Sequence, residues 1–327
     1  MRAVLATEPG GPDVLVPDEI PDPLPGPRDL LVRLSAAGVN FIDTYRRSGV
    51  YAMPFPHVPG SEGAGVVEAV GREVRDVAVG DLVAWASAPS SYAELVVVPE
   101  AVALRVPDGV TEEVAAALPL QGLTAHYLVT STFPVLEGQD VLVHAGAGGV
   151  GLLLTQLAAA RGARVITTVG TPEKEALSRA AGASEVIRYT ELGDLTAELP
   201  ALVRDLTGGR GVHTVFDGVG ASTFDASLAS LRPRGGLALF GASSGPVPPF
   251  DPQRLNAAGS LFLTRPTLGH YTATRDELTR RADELFAAVA AGTLDVRVGA
   301  TYPLTEAAEA HRALEGRATT GKVLLTA

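Results

Sequence analysis

"DVLVHAGAGGVGLLLTQLAAARG" (140–162) reads as a buried strand, a glycine-rich turn and an apolar helix. Gly146, Gly148 and Gly151 satisfy G-x-G-x-x-G. Glycines at this spacing permit a tight turn, close backbone approach to a pyrophosphate, and close packing of helix on strand. The free N–H groups and positive dipole end of the following helix favour an anion there. A glycine-rich turn in an alanine- and glycine-rich chain is otherwise unremarkable, so the segments on either side carry the argument.

Outward from this turn, residues 139–262 alternate strand and helix. The strands are "DVLVHA", "RVITTV", "VIRY", "VHTVFD", "GLALFG" and "SLFLTR", with helices expected at about 150–161, 173–181, 194–207 and 222–231. Such alternation predicts a parallel sheet covered on both faces. Six strands are what a dinucleotide-binding sheet requires.

Residues 1–110 differ. Short β-like runs such as "RAVLA", "DLLVRLSAAG" and "AELVVVPE" are separated by turn signals such as "PDPLPGPRD" and "HVPGSEG". They predict an all-β barrel or sandwich. A Thr-capped, alanine-rich helical segment begins at Thr111. After 265 an amphipathic helix is expected over 275–292, closed by Gly292. The last run, "GKVLLTA", is too short to stand alone and is expected to return to the first sheet. The expected division is 1–122 (first catalytic segment), 123–266 (nucleotide-binding) and 267–327 (second catalytic segment).

An NAD-binding unit of this kind carries an acid about 20 residues beyond the glycines, on the ribose hydroxyls. Here the second strand ends in Val169-Gly170-Thr171, with no carboxylate, and Lys174 follows. The missing acid removes repulsion against a 2′-phosphate, and Lys174 offers a cation. The competing reading of Lys174 is a surface lysine paired with Glu173 or Glu175. Only Lys174 and Lys322 are lysines among the 26 basic residues, which favours the first reading and NADP as cofactor.

Composition narrows the rest. A net charge of −11 argues against a general nucleic-acid binder. With no cysteine, disulfides, thiolate metal sites and a cysteine nucleophile are excluded. The apolar runs are too short to span a bilayer and no signal peptide is visible, so a soluble cytoplasmic protein is expected.

Longer motifs carry a family resemblance. "GVNFIDTYRRSGVY" (38–51), "PGSEGAG" (59–65), "LPLQGLTAHYL" (118–128), "AGAGGVG" (145–151), "VGTPEK" (169–174), "TRPTL" (264–268) and "RATTGKVLL" (317–325) span nearly the whole chain. The chain resembles the zinc-free, zeta-crystallin-like NADPH:quinone oxidoreductases of the medium-chain dehydrogenase/reductase superfamily. The resemblance implies an α/β plus β architecture: a GroES-like β-barrel catalytic domain built from both chain ends, a doubly wound Rossmann domain, and a deep cleft where they meet. It also implies a dimer or tetramer joined through the Rossmann sheet edge, "GSLFLTR" (259–265), with a homodimer expected here.

Zinc alcohol dehydrogenases of the superfamily bind metal through Cys, His and Cys. The matching positions are Asn40, Ser61 and Gln121, which lack a soft or imidazole ligand. Glu62 and Asp43 are read as structural, and the loop residue His57 as solvent-exposed; no metal is expected. The resemblance places Asn40, Phe41, Ile42, Asp43 and Tyr45 near nicotinamide and substrate. It places Tyr127 beside the cofactor, and Gly149 and Val150, with the three turn glycines, at the pyrophosphate. Gly170, Thr171 and Lys174 would surround the 2′-phosphate, with Tyr189 at the adenosine end. Gly241 and Ser243 would line the nicotinamide ribose, Leu263 and Arg265 the cleft, and Arg317 would reach the cofactor. Gly218 stands where a Ser is common in the family, and Ala242 where an Asn can occur.

The implied reaction is metal-free hydride or electron transfer from NADPH to a quinone. The alternatives are an enone or alkenal reductase on the same scaffold, and an NADPH-binding protein with a nucleic-acid-binding or structural role. A donor to the acceptor carbonyl would stabilise developing negative charge. Asn40, Tyr45, Tyr51 and Arg265 are the candidates, although the tyrosines could equally pack the cleft wall and Arg265 bind a phosphate.

Overall fold

A computed structural model describes all residues, 1–327, as two compact units: 1–123 with 272–327, and 124–271. In the first stretch, β1 (Arg2–Ala6) and β2 (Leu15–Glu19) form a two-stranded antiparallel ladder of their own. β3 (Asp29–Val39), α1 (Phe41–Arg47), β4 (Glu62–Val70), β5 (Leu82–Trp85), β6 (Leu95–Pro99) and β7 (Leu104–Arg105) follow. α2 (Glu112–Ala117), capped by the Thr111 hydroxyl, leads into α3 (Pro119–Tyr127).

The second unit holds β8 (Asp140–Val143), α4 (Gly149–Ala159), β9 (Arg164–Val169), α5 (Pro172–Ala180), β10 (Glu185–Arg188) and α6 (Leu195–Leu206). It continues with β11 (Val212–Asp217), α7 (Phe224–Ser230), β12 (Leu231–Leu239), α8 (Gln253–Ala257) and β13 (Phe262–Thr264). The chain then re-enters the first unit with α9 (Arg275–Ala290), β14 (Val298–Pro303), α10 (Ala307–Glu315) and β15 (Lys322–Thr326).

The first unit is built on a seven-stranded sheet: six strands run in the order β14-β15-β3-β4-β5-β7, and β6 also pairs β3. The eleven-residue β3 is its spine, because it pairs β15, β4 and β6 antiparallel. Val32, Leu34, Trp85, Tyr92, Val96, Val323 and Leu325 share its core. The Trp85 indole donates to Ser91 Oγ at 2.9 Å, which satisfies the one polar atom of that buried ring.

The first 110 residues are not all-β, as the alternation of short runs implied. "FIDTYRR" forms α1, entered through Asn40, whose N–H donates to the Asp43 carboxylate at 2.9 Å. A helix of two turns between long strands shows no stretch long enough for its periodicity to be read. α9 stops at Ala290 rather than 292, and Gly292 takes φ +68° beyond its end.

The second unit is a six-stranded, wholly parallel sheet ordered β10-β9-β8-β11-β12-β13. The chain runs outward from β8 to β10 and returns to lay β11 against β8. The order therefore reverses between β8 and β11, the place where open α/β sheets bind ligands at their strands' C-terminal ends. Its core joins Leu142, Ile166, Leu199, Val215, Phe224 and Leu237. No helix is long and apolar enough to cross a membrane.

Candidate active site

In the second unit the glycine turn sits at the reversal point. Ala145, with φ +53°, turns the chain out of β8, and Gly148 precedes α4 in extended conformation. A Cβ on Gly146 would lie 2.6 Å from Thr167 Cβ, and one on Gly151 would strike the Ala145 carbonyl oxygen. The turn is therefore as tight as packing allows. Gly149, Val150 and Gly151 form the first turn of α4, where N–H groups lack intrahelical partners. This cradle fits a dinucleotide pyrophosphate.

A buried polar relay lies beneath the turn. Asp217 accepts from Val219 N (2.8 Å), Gly220 N (3.0 Å), Thr223 Oγ1 (2.7 Å) and Ser227 Oγ (2.7 Å). Ser227 Oγ therefore accepts from His144 Nε2 at 3.0 Å, leaving Nδ1 to accept from Thr168 Oγ1 at 2.9 Å. Burial lowers the His144 pKa and keeps the ring neutral. The sequence reading did not single out either residue.

At the end of β9, the Thr171 hydroxyl caps α5 by accepting from Lys174 N at 3.2 Å. Lys174 is in the first turn, and the Gly170 carbonyl accepts from Thr190 Oγ1 at 2.9 Å. Glu175 pairs with Arg179 and Arg188, at 3.0 and 3.2 Å. Arg188 closes β10 immediately before Tyr189 and also pairs with Glu191 at 2.8 Å. The absence of a carboxylate at the strand end and Lys174 in the first turn of α5 fit a phosphorylated ribose.

Tyr127 stacks on Tyr271 with centroids 4.2 Å apart and planes 6° off parallel. Gly241 and Ser243 occupy the loop after β12, where Ser243 N donates to the Gly218 carbonyl at 3.2 Å. Leu263 lies in the edge strand β13, and Arg265 is exposed just beyond it.

In the first unit, Asn40, Ser61 and Gln121 fall in one cluster, built around charges rather than metal ligands. Lys322 is 1% exposed and forms an ion pair with Glu62, itself 0% exposed. Lys322 Nζ also donates to Asn40 Oδ1 at 2.8 Å, and Asn40 Nδ2 donates to Glu62 Oε2 at 2.7 Å. Gln121 Nε2 lies 3.5 Å from Asn40 Oδ1. Ser61 bonds Arg46 and approaches Asp43 Oδ1 at 3.4 Å. The side chains do not fit zinc: the Asn40 oxygen already faces an ammonium, and no group of three His, Asp or Glu is placed to hold a metal.

Asp43 is fully buried, and burial raises its carboxyl to about 6. A chain of donors runs to it. Arg47 Nη1 can only donate, so His311 Nδ1 accepts from it at 3.0 Å. His311 Nε2–H then donates to the Tyr92 hydroxyl at 3.1 Å, and Tyr92 donates to Asp43 Oδ2 at 3.3 Å. Phe41 and Ile42 are half-buried at the start of α1. Tyr45 packs against Phe41 (6.3 Å) and edge-on against Tyr51 (5.5 Å). Arg317 is exposed after α10 in a left-handed conformation, φ +57°, which favours glycine. His57 is half-buried rather than solvent-exposed, because its backbone exchanges both hydrogen bonds with Ala6.

Comparison with known proteins accords with both units. Residues 26–108 match the alcohol dehydrogenase GroES-like domain, and 149–287 match a zinc-binding dehydrogenase domain. These two matches define a medium-chain dehydrogenase/reductase. A quinone oxidoreductase of Pseudomonas aeruginosa is 45% identical over 318 residues, covering 97% of this chain and 96% of the relative. A 2-haloacrylate reductase of a Burkholderia species is 41% identical over 334 residues, covering 99% and 98%. A mycobacterial structure complexed with NADPH is 56% identical with a TM-score of 0.97, covering both chains fully. The chain belongs to the zinc-free quinone oxidoreductase family of the medium-chain dehydrogenase/reductase superfamily.

Proposed function

We propose that this protein is an NADPH-dependent quinone oxidoreductase that works without a metal. The observation that carries the reading is the pairing of a tight glycine turn at the head of α4 with a β9 end that lacks a carboxylate and is followed by Lys174. Gly146, Gly148, Gly149, Val150 and Gly151 would hold the pyrophosphate. Gly170, Thr171, Lys174 and Tyr189 would hold the phosphorylated adenosine, and Gly241, Ser243, Leu263, Arg265, Tyr127 and Arg317 would complete the cofactor's surroundings. Bound NADPH supplies the reducing equivalents. The protein's part is orientation, exclusion of water, and donors aimed at the acceptor oxygen. Asn40, Tyr45, Tyr51 and Arg265 are the donors in this reading, with Phe41, Ile42 and Asp43 shaping the acceptor's surroundings.

NADPH oxidation with benzoquinone or naphthoquinone tests the reading, and no turnover with any quinone overturns it. The likeness to a 2-haloacrylate reductase supports a second reading, an enone reductase on the same scaffold. Relative kcat/KM on an enal and a quinone separates the two.

The edge strand β13 supports assembly as a homodimer. Phe262 is 59% exposed there, and an uncovered apolar edge favours pairing. Sedimentation of wild type and Phe262→Glu tests it: a monomeric wild type removes the proposal. We place the protein in the cytoplasm with no nucleic-acid partner, in keeping with its acidic charge; salt-sensitive RNA binding would contradict this.

A further inference from the structure

The Lys322–Glu62 pair is buried at 1% and 0% exposure. A pair withdrawn from water in this way is weak evidence for stability, because desolvating two charges offsets most of their attraction. Its geometry indicates a different use. The two charges hold opposite ends of one amide: the ammonium donates to Asn40 Oδ1 at 2.8 Å, and the carboxylate accepts from Asn40 Nδ2 at 2.7 Å. Rotating that amide by half a turn would set its NH2 against the ammonium and its oxygen against the carboxylate. Only one of the two orientations is electrostatically allowed.

Neighbouring residues hold the pair in place. Leu120 N donates to the other Glu62 oxygen at 2.7 Å. A side chain on Gly38 would strike Glu62 Oε2 and come within 2.7 Å of Lys322 Cε, so the missing Cβ makes room for the pair. Lysine is used here although arginine supplies nearly all other cations of the chain. The five N–H donors of a guanidinium would need more acceptors than this enclosure offers, whereas a compact ammonium has three.

The fixed orientation leaves Asn40 with one lightly used hydrogen. Besides its bond to Glu62, Nδ2 makes only a long 3.3 Å contact with the Gly38 carbonyl. We infer that Lys322 and Glu62 are positioning residues that lock Asn40 as a hydrogen-bond donor, never an acceptor, toward the oxygen of the electron acceptor. The inference rests on the reading that Asn40 touches that acceptor. A donor there stabilises charge developing on the acceptor oxygen, whereas a flipped amide would oppose it.

The test uses steady-state kinetics of the full chain with NADPH and a quinone, with NADPH affinity and thermal midpoint measured alongside. The double variant Lys322→Met/Glu62→Gln removes both charges at nearly constant shape and frees the amide to flip. We expect kcat to fall about tenfold to a hundredfold, the size of a misoriented contact, with NADPH affinity unchanged. In an Asn40→Ala background the same double change should cost nothing further. Asn40→Asp retains Lys322 and Glu62 but removes the N–H donor, and serves if the double variant does not fold; a similar fall is expected. Impaired Asn40→Ala with an unaffected double variant overturns the positioning role alone, as does an equal further loss in the Asn40→Ala background. Unaffected kcat in Asn40→Ala and Asn40→Asp overturns the reading of Asn40 itself, and the inference with it.

Discussion

His311 Nε2 lies 3.1 Å from the Tyr92 hydroxyl, and Arg47 on its other nitrogen fixes the direction in which that bond is donated. Burial, then the neighbouring Arg47 charge, push His311 down to about 3. Between pH 3 and 6.5 the unfolded chain therefore binds a proton that the folded chain refuses, and stability falls as pH falls. Asp43, raised from 3.8 to about 6 by burial, acts oppositely: the folded chain holds its proton longer, so stability falls as pH rises through that window. The displacement of His311 is the larger, so the cluster's net effect is weaker folding in acid. Between about pH 4 and 6 the two windows overlap and their slopes oppose each other, so urea midpoints of the wild type should stay nearly flat over that range. In His311→Gln, which can still accept from Arg47 and donate to Tyr92, only the Asp43 slope remains, and the midpoints should fall as pH rises over the same range. Identical slopes in the two proteins would remove His311 as the cause.

Lys174 in the first turn of α5 should discriminate between phosphorylated and plain ribose. Lys174→Ala is expected to weaken NADPH binding about tenfold, roughly 1.4 kcal/mol, and to leave NADH binding unchanged. Fluorescence titration with both cofactors reads this directly. Equal affinity of the wild type for NADH and NADPH would contradict it.

Gly151→Ala places a methyl group against the Ala145 carbonyl oxygen, and backbone cannot step aside as a flexible side chain can. The turn must open. Overpacking of this kind costs about 1–3 kcal/mol, and the displaced N–H groups should lose NADPH affinity at least in proportion. Thermal midpoints with and without NADPH check it; an unchanged ligand-induced shift would show that the turn does not hold the cofactor.

Asp217 accepts four hydrogen bonds, from two loop N–H groups and two hydroxyls. Asp217→Ala leaves these donors unmet in a buried place, at a cost of about 3 kcal/mol or more. Ser227 would then be free to rotate, and His144 would lose the acceptor that sets its tautomer. Calorimetry measures the stability loss, and the ring nitrogen shifts of His144 by NMR report the tautomer. Unchanged nitrogen shifts would disprove the relay.

Periodicity and the glycine turn alone determined that this chain carries a parallel, doubly wound sheet. β8 and β9 are apolar runs of strand length, and the turn between β8 and α4 can be made only by small residues in that order. The missing acid after Val169 was equally legible, because it depends on one position at a known distance from the turn. The helix α1 was not, since seven residues between strands show no period. Nor was the place of Lys322 in the cluster around Asn40. Lys322 and Glu62 are 260 residues apart and meet only because β15 pairs β3 and β3 pairs β4. Tyr92 and His311 likewise meet across 219 residues. Local sequence shows which side chains are rare, as it did for the two lysines, and it drew attention to Lys174 rather than Lys322. Which charge each one faces is set by strand pairing over long separations, and only the tertiary structure decides that.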